Sequence, residues 1–260
     1  MNVIQFDSAK CKGDSICVEV CPMGLIEATK DGPKQAADVS NCIECGHCVA
    51  ACPNGALSNS RFATDSFRPF PKALPAPEAV RALMVSRRSM RVFKDQPVST
   101  ETLTRLVDTA RYAPTAGNAQ DVSWVACADA KKTRAAADLA AQWLRESGVY
   151  PSLAAKSNAG QDVVLRGAPA FVAATSPKDS GMGAIDCSIA LTYLELAAVS
   201  EGLGVCWAGL LTMAARRYAP LLSMLGVDDG RVVHGALMLG YPKYRYRLVP
   251  PREEAKIAWM

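Results

Sequence analysis

A chain of 260 residues can hold one large domain or two smaller ones and can bury a proper core. Half of it is hydrophobic and 21% is charged, which argues against disorder, and a net charge of +4 without a basic run gives no reason to expect a nucleic-acid partner. The opening stretch MNVIQFDSAK lacks the apolar run of a leader, and no segment approaches the ~18 apolar residues of a membrane span, so a soluble, cytoplasmic protein with no membrane partner is expected.

Seven of the ten cysteines fall between Cys11 and Cys52, leaving Cys127, Cys187 and Cys206 for the rest of the chain. So clustered, without an export signal, they read as metal ligands rather than disulfides. CIECGHCVAACPNGAL (42–57) carries the run C-x2-C-x2-C-x3-C-P as Cys42, Cys45, Cys48, Cys52 and Pro53. Thirty-one residues earlier the run is repeated: Cys11, Cys17, Cys21, Pro22 and Gly24 superimpose on Cys42, Cys48, Cys52, Pro53 and Gly55. Asp14 falls where the second copy has Cys45. Zinc ribbons also use C-x2-C pairs, but zinc needs four ligands and leaves the third cysteine and the x3-C-P ending unexplained, twice over.

Residues 1–62 closely resemble the two-cluster bacterial ferredoxins, in which the fourth cysteine of each run ligates the other cluster. The resemblance implies two iron–sulfur clusters. Cys42, Cys45, Cys48 and Cys21 would hold a 4Fe–4S cluster. Cys11, Cys17 and Cys52 would hold the second, with Asp14 at the fourth corner. Aspartate offers a hard oxygen donor in place of a soft thiolate, so this cluster is expected either as Asp-ligated 4Fe–4S or as 3Fe–4S after losing that iron. His47, inside the second run, reads as a bystander able to tune a cluster through a hydrogen bond.

Residues 63–77 contain Pro69, Pro71, Pro75 and Pro77, a spacing that predicts an extended, stiff linker. A second domain is expected over 78–260. Ser99 is a plausible N-cap for a helix carrying Leu103, Leu106, Val107 and Ala110 on one face and stopped by Pro114. Strands are expected at 121–129, 170–175 and 232–240. The stretch 184–202 is apolar nearly all round and predicts a buried central helix. Cys187 and Cys206 read as small core residues, and His234, within an apolar strand pattern, as a satisfied core histidine. The expected fold class is α+β, with a sheet flanked by helices.

Four stretches of this domain stand out: SRRSMRVF (86–93), APTAGNAQ (113–120), EGLGVCWAGL (201–210) and GYPKYRYRLVPPR (240–252). As an ordered set they resemble the nitroreductase family of FMN enzymes, from about residue 79 to the C-terminus. With the ferredoxin-like segment in front, the chain is similar to the ferredoxin-fused branch of that family. By position, the resemblance assigns Arg87, Arg88, Ser89 and Arg91 to the FMN phosphate and ribityl chain, and Arg245 and Arg247 to closing on the phosphate. Thr115, Ala116, Asn118 and Gln120 would line the isoalloxazine from the partner subunit of a homodimer. The backbone around Ala208 and Gly209 would face flavin N5. Asp121 stands where the family usually has proline.

The expected function is an FMN-dependent oxidoreductase. Electrons would pass from an external low-potential donor through the clusters to FMN and on to a small acceptor such as a nitroaromatic or quinone. Two alternatives remain at this point: an NAD(P)H-dependent nitroreductase, and an electron-transfer or redox-sensing protein with no small-molecule substrate.

Overall fold

The computed structural model describes residues 3–260, so the first two residues of the expected 1–62 domain lie outside the described part. Two compact units emerge. One comprises the described residues up to Leu74 together with Gly117–Ala119, and the other comprises Pro75–Ala116 with Gln120–Met260.

The first unit holds β1 (Ile4–Phe6), α1 (Ile16–Glu19), β2 (Ile26–Thr29), β3 (Gly32–Gln35), α2 (His47–Ala51) and β4 (Leu57–Asn59). β1 pairs antiparallel with β4, and β2 with β3. The sequence repeat is a structural repeat. Moved thirty-one residues along, α1 falls on α2 and β2 on β4. Both short helices are entered from a left-handed backbone, at Ser15 (φ 59°) and Gly46 (φ 72°). The small core is Ile4, Cys17, Ile26, Cys48, Val49, Ala56 and Leu57, with Phe6, Val18 and Phe67 packed against it. After β4 the chain makes a 3-10 turn at Thr64–Ser66, inside the segment expected to be wholly extended.

The second unit begins with α3 (Pro77–Ser86), where proline takes the first helical position that it tolerates best. It continues through α4 (Thr100–Ala110), β5 (Ser123–Cys127), α5 (Ala130–Ser147), α6 (Pro151–Asn158), β6 (Ala170–Pro177), α7 (Gly183–Ser200), β7 (Gly204–Trp207), α8 (Gly209–Ala215), α9 (Ala219–Leu225) and β8 (Arg231–Gly240). Ser99 caps α4 as its spacing predicts, its side chain accepting the Thr102 amide. The four strands form one antiparallel sheet in the order β5-β6-β8-β7.

Alternation along the central strands assigns the two layers. On β6 and β8, Ala170, Val172, Ala174, Leu237 and Leu239 pack with α4 and α7. Phe171, Ala173, Ala236 and Met238 point the other way, onto α5, α8 and α9. Because both faces are covered, β6 is buried from Ala170 to Ser176. Cys187 and Cys206 lie one in each layer, at 0% and 4% exposure.

α7 differs from the sequence expectation in one respect. At 18 residues with a mean hydropathy of 1.3, it is long and apolar enough to cross a membrane, the one such helix among the described residues. Its packing on the sheet gives that composition another cause. Cys187, Leu191, Leu194 and Ala198 fill one core layer, as a central helix of an α+β domain requires.

Two glycines fix where the arginine-rich segment lies. Gly204 and Gly240 face each other across the β7–β8 ladder. A Cβ on Gly204 would sit 2.8 Å from the Met90 side chain, and one on Gly240 2.8 Å from the Phe93 ring. The bare backbone lets residues 89–93 run along the sheet, with the Met90 amide donating to the Val205 carbonyl (2.9 Å) and Ser89 bridging Val205.

Candidate functional site

In the first unit the cysteines fall into two neighbourhoods. Cys21, Cys42, Cys45 and Cys48 line one pocket with Ile4, Leu25, His47 and Asn59. Burial pushes the Cys48 thiol up to about 11, and the neighbouring Cys45 and Cys21 act in the same direction. Burial likewise raises Cys17, with Cys52 and Asp14 adding to it. The first grouping includes Cys21 of the other copy, and the second brings Cys17 to Cys52 and Asp14 without including Cys11. Among the described residues no three His, Cys, Asp or Glu groups converge closely enough to hold a single metal ion.

Backbone donors support the remote cysteines symmetrically. The Leu25 amide donates to Cys21 Sγ (3.3 Å), and thirty-one residues later the Ala56 amide donates to Cys52 Sγ (3.4 Å). Donors aimed at sulfur favour the thiolate that a metal cluster requires. The donor set therefore fits iron–sulfur clusters. Asp14 is exposed and already engaged: Oδ1 accepts the Ile16 amide (3.2 Å) and Oδ2 accepts Asn54 Nδ2 (3.1 Å).

In the second unit, Arg91 and Gly209 line one cavity of ≈ 290 Å³ with Tyr150, Arg166, Cys206, Trp207 and Met238. Gly209 is the first residue of α8, so its amide has no intrahelical acceptor. The Ala208 amide is spent on the Ala236 carbonyl (2.8 Å), and Ala208 is buried. Of the two backbone positions assigned to flavin N5, Gly209 is the one that reaches the cavity wall. Tyr150 (φ 54°) and Arg166 (φ 56°) both adopt the left-handed backbone that side chains disfavour. Sequence reasoning found neither, and strained non-glycine residues on a cavity wall are a recognised mark of a functional site.

The other assigned residues are placed as follows. Arg87 Nη1 donates to Glu195 Oε1 at 3.0 Å. Arg88 Nη1 donates to the Arg87 carbonyl, while Arg88 Nε is buried with no partner among the described residues. Thr115 and Gln120 share a separate cavity of ≈ 210 Å³ with Arg111, Trp124 and Ala190. The Ala116 amide donates to Asp186 Oδ1 (3.1 Å), a buried carboxylate on α7. Asn118 groups with the first unit, where its Nδ2 donates to the Ile43 carbonyl (3.0 Å). Arg245 and Arg247 are exposed beyond β8. Asp121 Oδ1 is buried without a partner among the described residues, and its carbonyl accepts from Arg231 Nη2 (2.6 Å). A groove of ≈ 990 Å³ around Arg216, Arg231 and His234 contains none of the residues assigned to a cofactor. There His234 Nε2 lies 2.9 Å from Ser176 Oγ.

A four-stranded antiparallel sheet between helices, with a basic segment laid against one edge, makes the second unit an α+β domain, preceded by the cysteine-rich unit. Residues 84–241 match the nitroreductase family, and the chain belongs to it. Residues 3–53 match the 4Fe-4S dicluster domain. An NADH dehydrogenase/NAD(P)H nitroreductase, so named, of Archaeoglobus fulgidus is 28% identical over 165 residues, covering 62% of this chain and 84% of that one. The protein named Ferredoxin 7Fe of Hydrogenibacillus schlegelii is 35% identical over 57 residues, 22% of this chain and 70% of that one. The crystal structure of a nitroreductase with bound FMN from Bacteroides fragilis shares the fold at a TM-score of 0.60 and 20% identity, covering 70% of this chain and 97% of that one.

Proposed function

We propose that the chain is an FMN-dependent oxidoreductase that takes electrons from an external low-potential donor at its iron–sulfur domain and delivers them to a small acceptor, such as a nitroaromatic or quinone. The observation that carries this reading is the cavity in which Arg91, Trp207 and Gly209 meet. Arg88 Nε, three residues before Arg91 and buried without a partner among the described residues, supports it as a donor awaiting an anion. When bound, FMN supplies chemistry that accepts electrons singly or in pairs.

Each residue then has a task. Arg87, Arg88, Ser89 and Arg91 bind the phosphate and ribityl chain, and the planar forks of Arg245 and Arg247 close on the phosphate. Thr115, Ala116, Asn118 and Gln120 belong to the isoalloxazine site, contributed by the partner subunit of a homodimer. The Gly209 amide is the backbone donor toward flavin N5. Residues 1–62 carry the clusters, 63–77 connect, and 78–260 carry the flavin in a cytoplasmic protein. One chain bearing both cofactor types replaces a bimolecular encounter with a high effective concentration. The 7Fe of the Hydrogenibacillus relative's name supports a second cluster that reaches the 3Fe–4S form once the iron at the Asp14 corner is lost.

The name of the Archaeoglobus relative favours a second reading, in which NAD(P)H is the reductant. Stopped-flow mixing separates the possibilities. Reduced enzyme reoxidised by a nitroaromatic or quinone supports the proposal, and reduction by NAD(P)H alone supports the second reading. Indifference to every small acceptor leaves an electron relay instead.

A further inference from the structure

Glu195 is a carboxylate on α7, 4% exposed, in the helix that otherwise contributes Leu191, Leu194 and Ala198 to the core. Both its oxygens are used. Oε1 accepts Arg87 Nη1 at 3.0 Å, and Oε2 accepts Trp207 Nε1 at 3.4 Å. One buried carboxylate thus ties three elements together: the end of α3, the middle of α7 and the last residue of β7.

A buried ion pair is a poor way to gain stability, because taking both charges out of water offsets their attraction. What it does well is hold a geometry. Arg87 is about a quarter exposed and uses only Nη1 here; Nε and Nη2 have no acceptor among the described residues. The fork is anchored at one tip and left open at the rest. Trp207, 39% exposed, has the one hydrogen-bonding atom of its side chain turned to Glu195, and the indole lies on the α7 face of the sheet, 2.9 Å from where a Cβ on Gly235 would sit.

We propose that Glu195 is a positioning residue: it pre-sets Arg87 to receive the flavin phosphate, with the Trp207 indole held in the same hydrogen-bonded unit on the α7 face, so that the site selects the phosphorylated flavin over riboflavin. This rests on the reading that the 87–91 segment holds that phosphate. Removing the acceptor frees a long side chain that must then be ordered again on binding, at a cost that falls on the phosphate-bearing ligand.

The test compares FMN and riboflavin dissociation constants, measured by flavin fluorescence, for the full chain and for Glu195→Gln, Glu195→Leu, Arg87→Ala and Glu195→Leu/Arg87→Ala. Glu195→Leu is expected to weaken FMN by about 10-fold or more, a typical loss for a charge-assisted contact, and to leave riboflavin nearly unchanged. Glu195→Gln, which keeps the shape and one acceptor, should recover part of the loss. In the Arg87→Ala background the Glu195→Leu effect should vanish, because the two act through one contact. The Trp207 share of the emission, defined with Trp207→Phe, should shift in Glu195→Leu even without flavin. Equal weakening of FMN and riboflavin, additive losses, or unchanged FMN binding with unchanged emission overturns the proposal. If Arg87→Ala itself leaves FMN affinity intact, it is the assignment of the phosphate to this segment that falls.

Discussion

Asn54 Nδ2 donates to Asp14 Oδ2 at 3.1 Å, linking the residue that replaces a cysteine in one copy to the turn that follows Cys52 in the other. With Oδ1 on the Ile16 amide, the carboxylate is oriented by two donors before any metal is considered. An iron at this corner competes with those hydrogen bonds and meets an oxygen rather than a thiolate, so it is held weakly. Brief oxidation should remove about one iron per chain and give the EPR signal of a three-iron cluster, the corner metal being the least strongly bound. Asp14→Cys should suppress that signal. Equal iron loss in both proteins would show the position to be damaged rather than tuned.

The two basic segments should account for most of the flavin affinity. Replacing Arg87 or Arg245 with alanine removes a charge-assisted contact worth about 1.5–3 kcal/mol, or roughly 10- to 150-fold in dissociation constant. Equilibrium dialysis of the double variant checks this; full flavin occupancy after dilution would put the phosphate elsewhere.

Burial, and then the Arg216 guanidinium, hold the His234 imidazole below its usual 6.5. The unfolded chain therefore takes up the proton first. The stability that His234 contributes is fully present above the unfolded value of 6.5 and is lost as pH falls from there through the folded pKa. Melting curves between pH 7.5 and 5 should show the native protein losing more Tm than His234→Gln. Parallel curves would mean that the histidine charges freely in the fold.

Cys187 is wholly buried, and burial pushes its thiol up to about 12, with Asp121 acting in the same direction. Its thiolate population at pH 8 is negligible. Iodoacetamide should label Cys187 only after unfolding, as read by peptide mass spectrometry. Labelling of the native protein on the timescale of an exposed thiol would show that α7 opens.

A homodimer is expected at micromolar concentration. α7 leaves Ile185 and Tyr193 more than two-fifths exposed, and beyond β8 Ile257 and Trp259 are bare to solvent. Light scattering that returns a monomer with FMN still bound would refute it.

The parts legible in the sequence were those written in local spacing. The cysteine runs are set by how far a few residues of chain can reach, and the repeat showed through them. α4 was legible because Ser99, Leu103, Leu106 and Ala110 fall within three turns. α5 was not, since its buried positions include Ala136, Ala137, Ala140 and Ala141, and alanine gives little contrast between faces. β7 is four residues long and begins with glycine, which reads as a turn. Glu195 was hidden for a different reason. Within an apolar helix a single glutamate reads as a point on the solvent side, and its partner Arg87 lies 108 residues away. The amides on Cys21 and Cys52 are backbone groups, which no side-chain pattern announces.

Gly204 and Gly240 have a consequence for how this scaffold can change. The course of residues 89–93 is set by atoms that are missing from the sheet beneath them. Ser89, Arg91 and Val92 can be exchanged without touching that contact, because Met90 and Phe93 are the side chains that lie over the glycines. A single methyl group added at either glycine would press on Met90 or Phe93 and shift the strip, Arg91 with it. Inheritance can therefore vary the outward side chains of this strip far more freely than the shelf on which it rests.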